Sequence, residues 1–456
     1  MRALIVGLIV VISSSAHGAA SLQNFTVTSS QGSNAIFVDV GAAQSRTRGA
    51  GYNWPVSVNL PLLASQPATV LVNFPDRSTA TLIRMRSRLR GPDHVMWAGY
   101  GDGCSGIFSS WTGGFVGTVS CLNTNYGVAV TGGSYQLTRY DSVPGAMETA
   151  WEKPPPKSNS SPSPAQTPST PTQVDTTIDI MVLYTDAVRN HFGSKGATVA
   201  NIQHYVDVLQ QALDASSPAI QSMCGPPTTP SIAEVNLVAT KNVSRTENND
   251  DFDSDLAWMS DNVTPGAEVY ALRQFWRADV MMYLTEDTGS TYGQSRQPNA
   301  GYPGPGPDFM HDANSVLMRS HALNDDTGDA INQPFVFMHE FGHTIGADHD
   351  YGNAVNTVDP VENWSYGHFA NELDGSGKGA RTIMSYYVSG VGGCGTSSAN
   401  CPRVLHFSNA SICDDWFRTG LKDHHENART IADFGPSVTA QYQLSLGRIF
   451  YDGFDP

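Results

Sequence analysis

Apolar and polar positions along this chain follow two different rhythms. Over residues 35 to 140, short β-branched and aromatic runs alternate with Gly, Pro, Asn and Asp. That rhythm predicts a small all-β module. Its predicted strands are Ile36 to Val40, Val56 to Leu60, Thr69 to Phe74, Thr79 to Leu89, His94 to Tyr100, Gly114 to Cys121, Tyr126 to Val130 and Ser134 to Tyr140.

One predicted strand of this module carries an unusual row of positive charges. Arg84, Arg86, Arg88 and Arg90 recur at every second position, so all four would project from one face of a strand. One interpretation is an exposed edge strand that charge protects from pairing with other chains. The alternative is a basic face that docks on an acidic second domain, in which case low salt should tighten the association.

Beyond residue 175 the pattern predicts strands that alternate with helices. This alternation favours an α/β domain, with a mainly parallel sheet and helices packed against it. A further candidate, an edge strand at Asn314 to Leu323, would lie beside the functional site. The other predicted elements are a strand at Asp179 to Tyr184, a helix at Val199 to Ser216, a strand at Ile232 to Val238, a helix at Gly266 to Phe275 and a strand at Ala278 to Leu284.

Segments of biased composition divide the chain. Residues 1–20 begin with Arg2, continue through a short apolar run and end in small residues, which is the pattern of a secretory signal peptide. We expect cleavage after Gly18 or Ala20. Residues 151–174 are rich in Pro, Ser and Thr and predict an extended linker that proteases can reach. The predicted division is therefore a signal peptide (1–20), a β-rich module (21–150), the linker (151–174), the α/β domain (175–440) and a short tail (441–456).

Composition and charge narrow the function classes. The formal net charge is −16, from 42 acidic and 26 basic residues, which argues against nucleic acid as a partner. After the signal, no apolar run is long enough to cross a bilayer, so we expect no integral membrane association. The six cysteines of an exported chain favour disulfides. If pairing stays within domains, Cys104 pairs with Cys121, and the other four (Cys224, Cys394, Cys401 and Cys413) have three possible connectivities.

Candidate chemistry is concentrated between residues 332 and 350, which read NQPFVFMHEFGHTIGADHD. His339 and His343 are one helical turn apart, so both imidazoles can bind one metal ion, while Glu340 can reach a water on that metal. Gly346 can adopt the left-handed conformation that ends a helix, and the reversed chain then brings His349 to the same metal. Three histidines on tetrahedral zinc leave the fourth position for water, as in catalytic sites.

This H-E-x-x-H-x-x-G-x-x-H pattern resembles that of the metzincin zinc peptidases. Asp350, directly after the third histidine, resembles the adamalysin or reprolysin branch. The segment R-T-I-M-S-Y-Y at residues 381–387 resembles the methionine turn of these enzymes, with Met384 under the metal. Residues 405–409 (L-H-F-S-N) resemble the segment that forms the S1′ wall in bacterial reprolysin-like enzymes. The resemblance covers roughly residues 175–440 and implies a metzincin-like catalytic domain.

Two features near the site each have two interpretations. Tyr386 stands two residues after Met384, where astacins and serralysins have a tyrosine that ligates zinc or stabilises the oxyanion; the alternative is a packing aromatic. The acidic loop at residues 324–329 is a candidate Ca2+ site, but the full loop signature is absent, which favours a solvated turn.

The sequence therefore predicts a secreted zinc endopeptidase with Glu340 as the general base, acting on protein or peptide substrates. Our leading hypothesis is a zymogen whose β-rich module is a pro-region that inhibits the enzyme until it is removed at the linker. Because Cys104 and Cys121 form an even pair, we expect inhibition by coverage and not by a cysteine on zinc. The alternative function is a surface-adhesion or carbohydrate-binding protein that retains the module. A zinc-binding pseudoenzyme is disfavoured by the presence of Glu340.

Overall fold

A computed structural model describes most of the residues between 35 and 439. All of these residues belong to one compact unit, residues 34–456. The described ranges are 35–40, 44–45, 51–75, 79–91, 94–111, 114–121, 124–131, 134–140, 176–217, 231–247, 252–260, 266–286, 293–297, 314–318, 335–354, 362–371, 379–386, 394, 401, 403–414 and 417–439.

The N-terminal part is an antiparallel sheet that curls on itself, which confirms the predicted all-β module. Its order is β1-β3-β10-β9-β8-β7-β6-β5-β4, with β2 beside β3. The two edges approach each other where the backbone N–H of Ile36 donates to the carbonyl of Leu71 at 2.8 Å. The strands are β1 (Phe37–Val40), β2 (Gln44–Ser45), β3 (Gly51–Val58), β4 (Thr69–Val72), β5 (Ala80–Gly91), β6 (His94–Gly101), β7 (Cys104–Trp111), β8 (Gly114–Cys121), β9 (Thr124–Thr131) and β10 (Ser134–Tyr140).

Two elements of this part depart from the prediction. The apolar pattern misses β7, although Asp102 (φ 51°) and Gly103 (φ 71°) form the positive-φ turn that tight hairpins require. The predicted strand at residues 56–60 is wrong beyond Val58, because the Asn59 side chain accepts the backbone N–H of Leu62 at 3.2 Å and begins a short helix, α1 (Leu60–Ala64).

The second part contains a mainly parallel sheet, as the alternating pattern predicts. Its order is β12-β11-β13-β15-β14, and only β14 runs antiparallel to its neighbour. The predicted strand at residues 314–323 is not an edge strand: its described part, β15, lies between β13 and β14, and β14 forms that edge of the described sheet. The strands are β11 (Thr177–Thr185), β12 (Glu234–Val243), β13 (Val280–Thr285), β14 (Gly293–Ser295) and β15 (Asn314–Met318).

Helices and short strand pairs complete this part. Of the helices described, none combines the length and apolar character needed to cross a lipid bilayer. The helices are α2 (Asp186–Phe192), α3 (Lys195–Ala215), α4 (Phe252–Ser260), α5 (Ala267–Trp276), α6 (Phe335–Thr344), α7 (Tyr351–Ala354) and α8 (Asn427–Thr439). The short strands are β16 (Asp348–Asp350), β17 (Tyr366–Gly367), β18 (Phe369–Asn371), β19 (Gly379–Arg381), β20 (Cys413–Asp414) and β21 (Phe417–Arg418).

Helix α3 lies between the two parts of the chain. Every residue from Thr198 to Leu213 is buried, which requires cover on both sides of the helix. Ile202 and Val206 pack in the core of the second part. On the opposite side, the hydroxyl of Ser109 on β7 lies 3.0 Å from Nδ1 of His204. The N-terminal sheet therefore covers this side of the helix, where Trp111 and Val116 also pack against Val199 and Ala200.

Arginines of β5 strengthen the contact between the two parts. Arg86 pairs with Asp214 at the end of α3, and its Nη2 donates to both carboxylate oxygens of Glu234 at 2.8 and 2.9 Å. Arg88 pairs with Glu234 as well, whereas Arg84 donates to a carbonyl within the N-terminal part. These contacts support the docking hypothesis. The edge-strand interpretation also holds in part, because β4 pairs with β5 only from Ala80 to Ile83, and among the described strands the arginine-bearing stretch beyond Ile83 pairs with β6 alone.

Disulfides occur in both parts of the chain. Cys104 and Cys121 face each other on β7 and β8 and are bonded, as predicted. In the second part Cys394 pairs with Cys401, and Cys413 is also disulfide-bonded.

Several predicted features lie outside the described residues. These are the signal peptide (1–20), the linker (151–174), Cys224, residues 319–323 of the predicted edge strand, the acidic loop considered for calcium (324–329), the side chain of Arg90 and the C-terminal tail (441–456).

Candidate metal centre

Helix α6 presents two histidines and a glutamate from an otherwise apolar surface. Phe337, Met338 and other apolar side chains of the helix are buried, which holds it in the core. His339 and His343 are separated by one turn and share a face, with ring centroids 4.7 Å apart. Glu340 lies next to them and is only 2% exposed.

The chain reverses after α6 and returns the third histidine to the first two. Gly346 has φ +94°, in the left-handed region that favours glycine. Its N–H donates to the carbonyl of His343 at 2.9 Å, and the N–H of Ala347 donates to that of Gly342 at 2.9 Å. These two bonds form a helix-terminating motif in which a left-handed residue follows the last turn. The next strand, β16, carries His349.

The three histidines converge on one point through the same ring nitrogen. Nε2 of His339 lies 3.1 Å from Nε2 of His343 and 3.1 Å from Nε2 of His349, and the remaining pair is 2.9 Å apart. All three side chains are buried. In the described part of the chain, no other group of three or more potential ligands comes this close together.

Hydrogen bonds to backbone carbonyls determine which ring nitrogen of His339 and His343 carries the proton and which has a lone pair for a metal. Nδ1 of His339 lies 3.0 Å from the carbonyl of Ile383, and Nδ1 of His343 lies 2.9 Å from that of Ala347. A carbonyl can only accept, so both Nδ1 atoms carry the proton and both Nε2 atoms present a lone pair. Lone pairs at this distance repel unless a cation lies among them. These residues therefore fit a metal ion of the kind that imidazole ligates.

Glu340 lies against an edge strand of the sheet. The hydroxyl of Ser295 on β14 makes a short hydrogen bond to Oε2 of Glu340 and lies 3.0 Å from the backbone carbonyl of the same residue. Gly293 leaves the space that the carboxylate occupies, because a Cβ there would lie 2.4 Å from Oε1. Two residues of one short strand thus define the position of this side chain.

Met384 lies directly against α6, as the methionine turn of the sequence analysis requires. It is fully buried, and a Cβ on Gly342 would lie 2.5 Å from its sulfur. On its other side, a Cβ on Gly367 would lie 3.1 Å from its Cβ. The preceding residue, Ile383, supplies the carbonyl that orients His339.

Asp350 connects the third histidine to Tyr386. Its Oδ2 accepts the backbone N–H of Tyr386 at 3.1 Å. The ring of Tyr386 lies 4.4 Å from that of His349 and 5.6 Å from that of His339, centroid to centroid. The structure therefore places this aromatic ring beside two of the three candidate ligands.

Residues 405–409 lie beside the methionine turn. The carbonyl of His406 accepts the N–H of Ile383 at 2.9 Å. The N–H of Phe407 donates to the hydroxyl of Ser216 at 2.8 Å, directly after the end of α3. This segment, assigned from sequence to the wall of a substrate pocket, thus connects α3 to the methionine turn.

Sequence reasoning missed Gly293, Ser295 and Gly342. Gly342 did leave a signal, because a glycine inside a helix costs about 1 kcal/mol relative to alanine and calls for a packing reason. The short strand G-Q-S at residues 293–295 leaves no comparable signal, since it shows neither apolar alternation nor a recognisable motif.

A family model agrees with this geometry. The Reprolysin_5 model of metallo-peptidase family M12 matches residues 174–401, which is half of the chain and includes the three histidines and Met384. The chain belongs to metallo-peptidase family M12. Its M12 region begins just before β11, and the N-terminal sheet lies outside it.

Two curated relatives are similar to this chain over a shorter stretch. They are the peptidyl-Asp metalloendopeptidases of Stenotrophomonas maltophilia strains R551-3 and K279a, 29% and 27% identical over 112 residues. The aligned stretch covers 25% of this chain and 24% of each relative, so the chain spans about a quarter of the length of the curated relatives it matches.

Solved structures give distant similarities to this M12 family member. Metalloproteinase-II from Bacteroides fragilis aligns at a TM-score of 0.33 and 12% identity, covering 62% of this chain and 81% of that one. A chaperone-substrate complex aligns at a TM-score of 0.40 and 11% identity, covering 72% of this chain and 39% of that one.

Proposed function

We propose that this chain is an exported zinc endopeptidase that hydrolyses peptide bonds in protein substrates. The observation that carries the proposal is the convergence of three histidine Nε2 atoms, two of them with the Nδ1 proton held by a backbone carbonyl. Membership of metallo-peptidase family M12 supports the reaction class. The apolar N-terminal segment supports export.

Zinc fits the three histidines better than magnesium or calcium does. Tetrahedral zinc at about 2.0–2.1 Å from each nitrogen keeps its ligands roughly 3.3 Å apart, close to the 2.9–3.1 Å seen here. Carboxylate-rich sites suit magnesium and calcium, whereas this ligand set is entirely imidazole. When bound, zinc supplies a Lewis acid that polarises the scissile carbonyl and lowers the pKa of water to about 7.

Glu340 is the group that we assign to proton transfer. It lies beside His339 in sequence and is nearly completely buried, so it acts in a site from which bulk water is largely excluded. Ser295 holds its Oε2, and we assign Oε1 to take a proton from the attacking water and pass one to the leaving amine.

Tyr386 is the group that we assign to the developing negative charge on the substrate carbonyl. Its ring lies beside His349, and Asp350 anchors its backbone. A preorganised hydroxyl aimed at an oxyanion is a strong contribution to catalysis. In the alternative role, an aromatic side chain that only packs on the ligands, loss of the hydroxyl should change turnover by no more than a few-fold.

The substrate strand, in this proposal, adds to a free edge of the second sheet. Extended peptides commonly bind by pairing with an exposed edge strand. The described sheet has two edge strands, β12 and β14, and neither is the segment at residues 314–323. We assign the substrate to β14, because this strand carries the residues that contact Glu340. Residues 405–409 would then line the pocket for the side chain after the scissile bond.

The N-terminal sheet acts, in this proposal, as a pro-region that is removed at the linker. Its described contacts run along α3 and to Glu234, through Ser109, Arg86 and Arg88. Apolar groups share this contact, because Trp111 and Val116 pack against Val199 and Ala200 of α3. Latency then comes from coverage, since Cys104 is bonded to Cys121 and is not available to a metal.

The peptidase proposal is tested by metal analysis and a peptide-library digest of the wild type and Glu340→Gln. We expect one zinc per chain in both proteins and cleavage by the wild type only. Because the two relatives are named peptidyl-Asp metalloendopeptidases, the library includes peptides with aspartate at each position in turn. A wild-type protein without zinc, or a Glu340→Gln variant that cleaves casein at the normal rate, would overturn the proposal.

The pro-region proposal is tested by mass spectrometry of the protein from the culture medium. An N-terminus within residues 154–178 supports removal of the sheet. An N-terminus at residue 19 or 21 would instead support the retained module of an adhesion or carbohydrate-binding protein.

A further inference from the structure

We propose that Ser295 is a positioning residue for catalysis: its hydroxyl fixes one oxygen of the Glu340 carboxylate so that the other is held ready for proton transfer. The inference rests on the proposed function, because it assumes that Glu340 is the general base. Nothing in the histidine motif or in the family match specifies Ser295, which lies 45 residues before Glu340 in sequence.

The geometry shows how the hydroxyl acts. The Ser295 Oγ lies within hydrogen-bond distance of two acceptors on one residue, the side-chain Oε2 and the backbone carbonyl of Glu340, and the contact to Oε2 is the shorter. A hydroxyl has a single proton to donate. The bond to the ionised carboxylate is the stronger of the two, because charge-assisted hydrogen bonds are about twice as strong as neutral ones.

Gly293 is a second and independent sign that β14 is shaped around this carboxylate. A Cβ at this position would lie 2.4 Å from Oε1, 2.7 Å from Cδ and 2.8 Å from Cγ of Glu340. The described positive-φ glycines do not include Gly293, so the requirement for glycine is one of space and not of backbone conformation. Ser295 therefore holds Oε2 of Glu340, while Oε1 lies over Gly293, which has no side chain.

This anchoring matters because a glutamate side chain has three rotatable bonds. Groups that act in a transition state must be held close to their productive geometry, and a displacement of about 1 Å can cost on the order of 100-fold in rate. Ser295 belongs to a strand that is hydrogen-bonded to β15, so the anchor is part of the sheet and not of a free loop.

A purely structural role for Ser295 makes a different prediction. If the hydroxyl only ties β14 to α6 through the backbone carbonyl of Glu340, its loss should lower thermal stability and weaken substrate binding. If it positions the carboxylate, its loss should lower kcat while KM, zinc content and the melting temperature stay close to those of the wild type.

The experiment compares Ser295→Ala, Ser295→Thr and Ser260→Ala with the wild type, each produced from the full chain and assayed in the same way. Ser260→Ala is the matched control, because that serine also donates to a backbone carbonyl, at 3.0 Å, in α4. We expect Ser295→Ala to lower kcat about tenfold with KM changed less than about twofold, in the range of substitutions around a metal centre. Ser295→Thr, which keeps the hydroxyl, should recover kcat to within about threefold of the wild type.

A second variant protects the test against a trivial loss of folding. Gly293→Ala keeps every hydroxyl but pushes against the carboxylate, so it should also lower kcat without loss of zinc. The inference is overturned if Ser295→Ala keeps the wild-type kcat, or if the substitution raises KM or lowers the zinc content instead. It is also overturned if Ser295→Thr is as impaired as Ser295→Ala. Should Glu340→Gln remain active, the proposed function itself fails; should it be inactive while Ser295→Ala is normal, only the positioning role fails.

Discussion

Acidification should weaken the packing of the N-terminal sheet on α3 through His204. This side chain is fully buried, and its Nδ1 lies 3.0 Å from the hydroxyl of Ser109 on the opposing sheet. Burial alone lowers the pKa of His204 from 6.5 to about 3. The folded protein therefore keeps this imidazole neutral over a pH range in which the unfolded chain would protonate it.

The sign and size of the effect follow from linkage. Between pH 6.5 and pH 3 the unfolded state binds a proton at His204 and the folded state does not, so stability falls as the pH falls. From pH 8 to pH 5 this one group should lower the free energy of unfolding by about 2 kcal/mol, because each pH unit below the unfolded pKa contributes roughly 1.4 kcal/mol.

The assay is urea unfolding of the full chain at pH 8 and pH 5, for the wild type and His204→Asn. Asparagine keeps a polar atom near Ser109 but does not titrate. His368 and His425 have pKa values lowered to about 3 and about 4 by burial, and they contribute equally to both proteins. We expect the wild type to lose about 2 kcal/mol more than the variant between the two pH values. An identical pH dependence in both would refute the reasoning.

Three further predictions concern packing, charge and catalysis. Gly342→Ala should push Met384 away from α6 and lower the free energy of unfolding by about 1–3 kcal/mol, offset by roughly 1 kcal/mol of helix propensity; an unchanged urea midpoint would contradict it. Arg86→Glu places a carboxylate against Glu234. In a chain cut at the linker, the two parts should then co-purify poorly at low salt and better at high salt, because salt screens the repulsion. Co-purification that does not depend on salt would contradict this. Tyr386→Phe should lower kcat by about 100-fold if its hydroxyl stabilises the oxyanion, whereas a change of no more than a few-fold assigns it to packing.

Local spacing alone was sufficient to identify the candidate ligands. His339 and His343 are neighbours on any helix, and Gly346 is the residue that lets the chain turn back with His349, so the grouping of the three depends on fewer than a dozen consecutive residues. The all-β module and the mainly parallel sheet were predictable for the same reason, because their rhythms of apolar residues repeat over short distances.

Contacts between distant segments were beyond that reasoning. The cover of the N-terminal sheet over α3, the identity of β14 as an edge strand, and the pairing of Ser295 and Gly293 with Glu340 each join segments separated by dozens of residues. No local period encodes such contacts, because they depend on which surfaces meet when the sheets and helices pack. The histidine motif thus specifies a place for a metal, whereas packing against β14 decides how the carboxylate beside it is held.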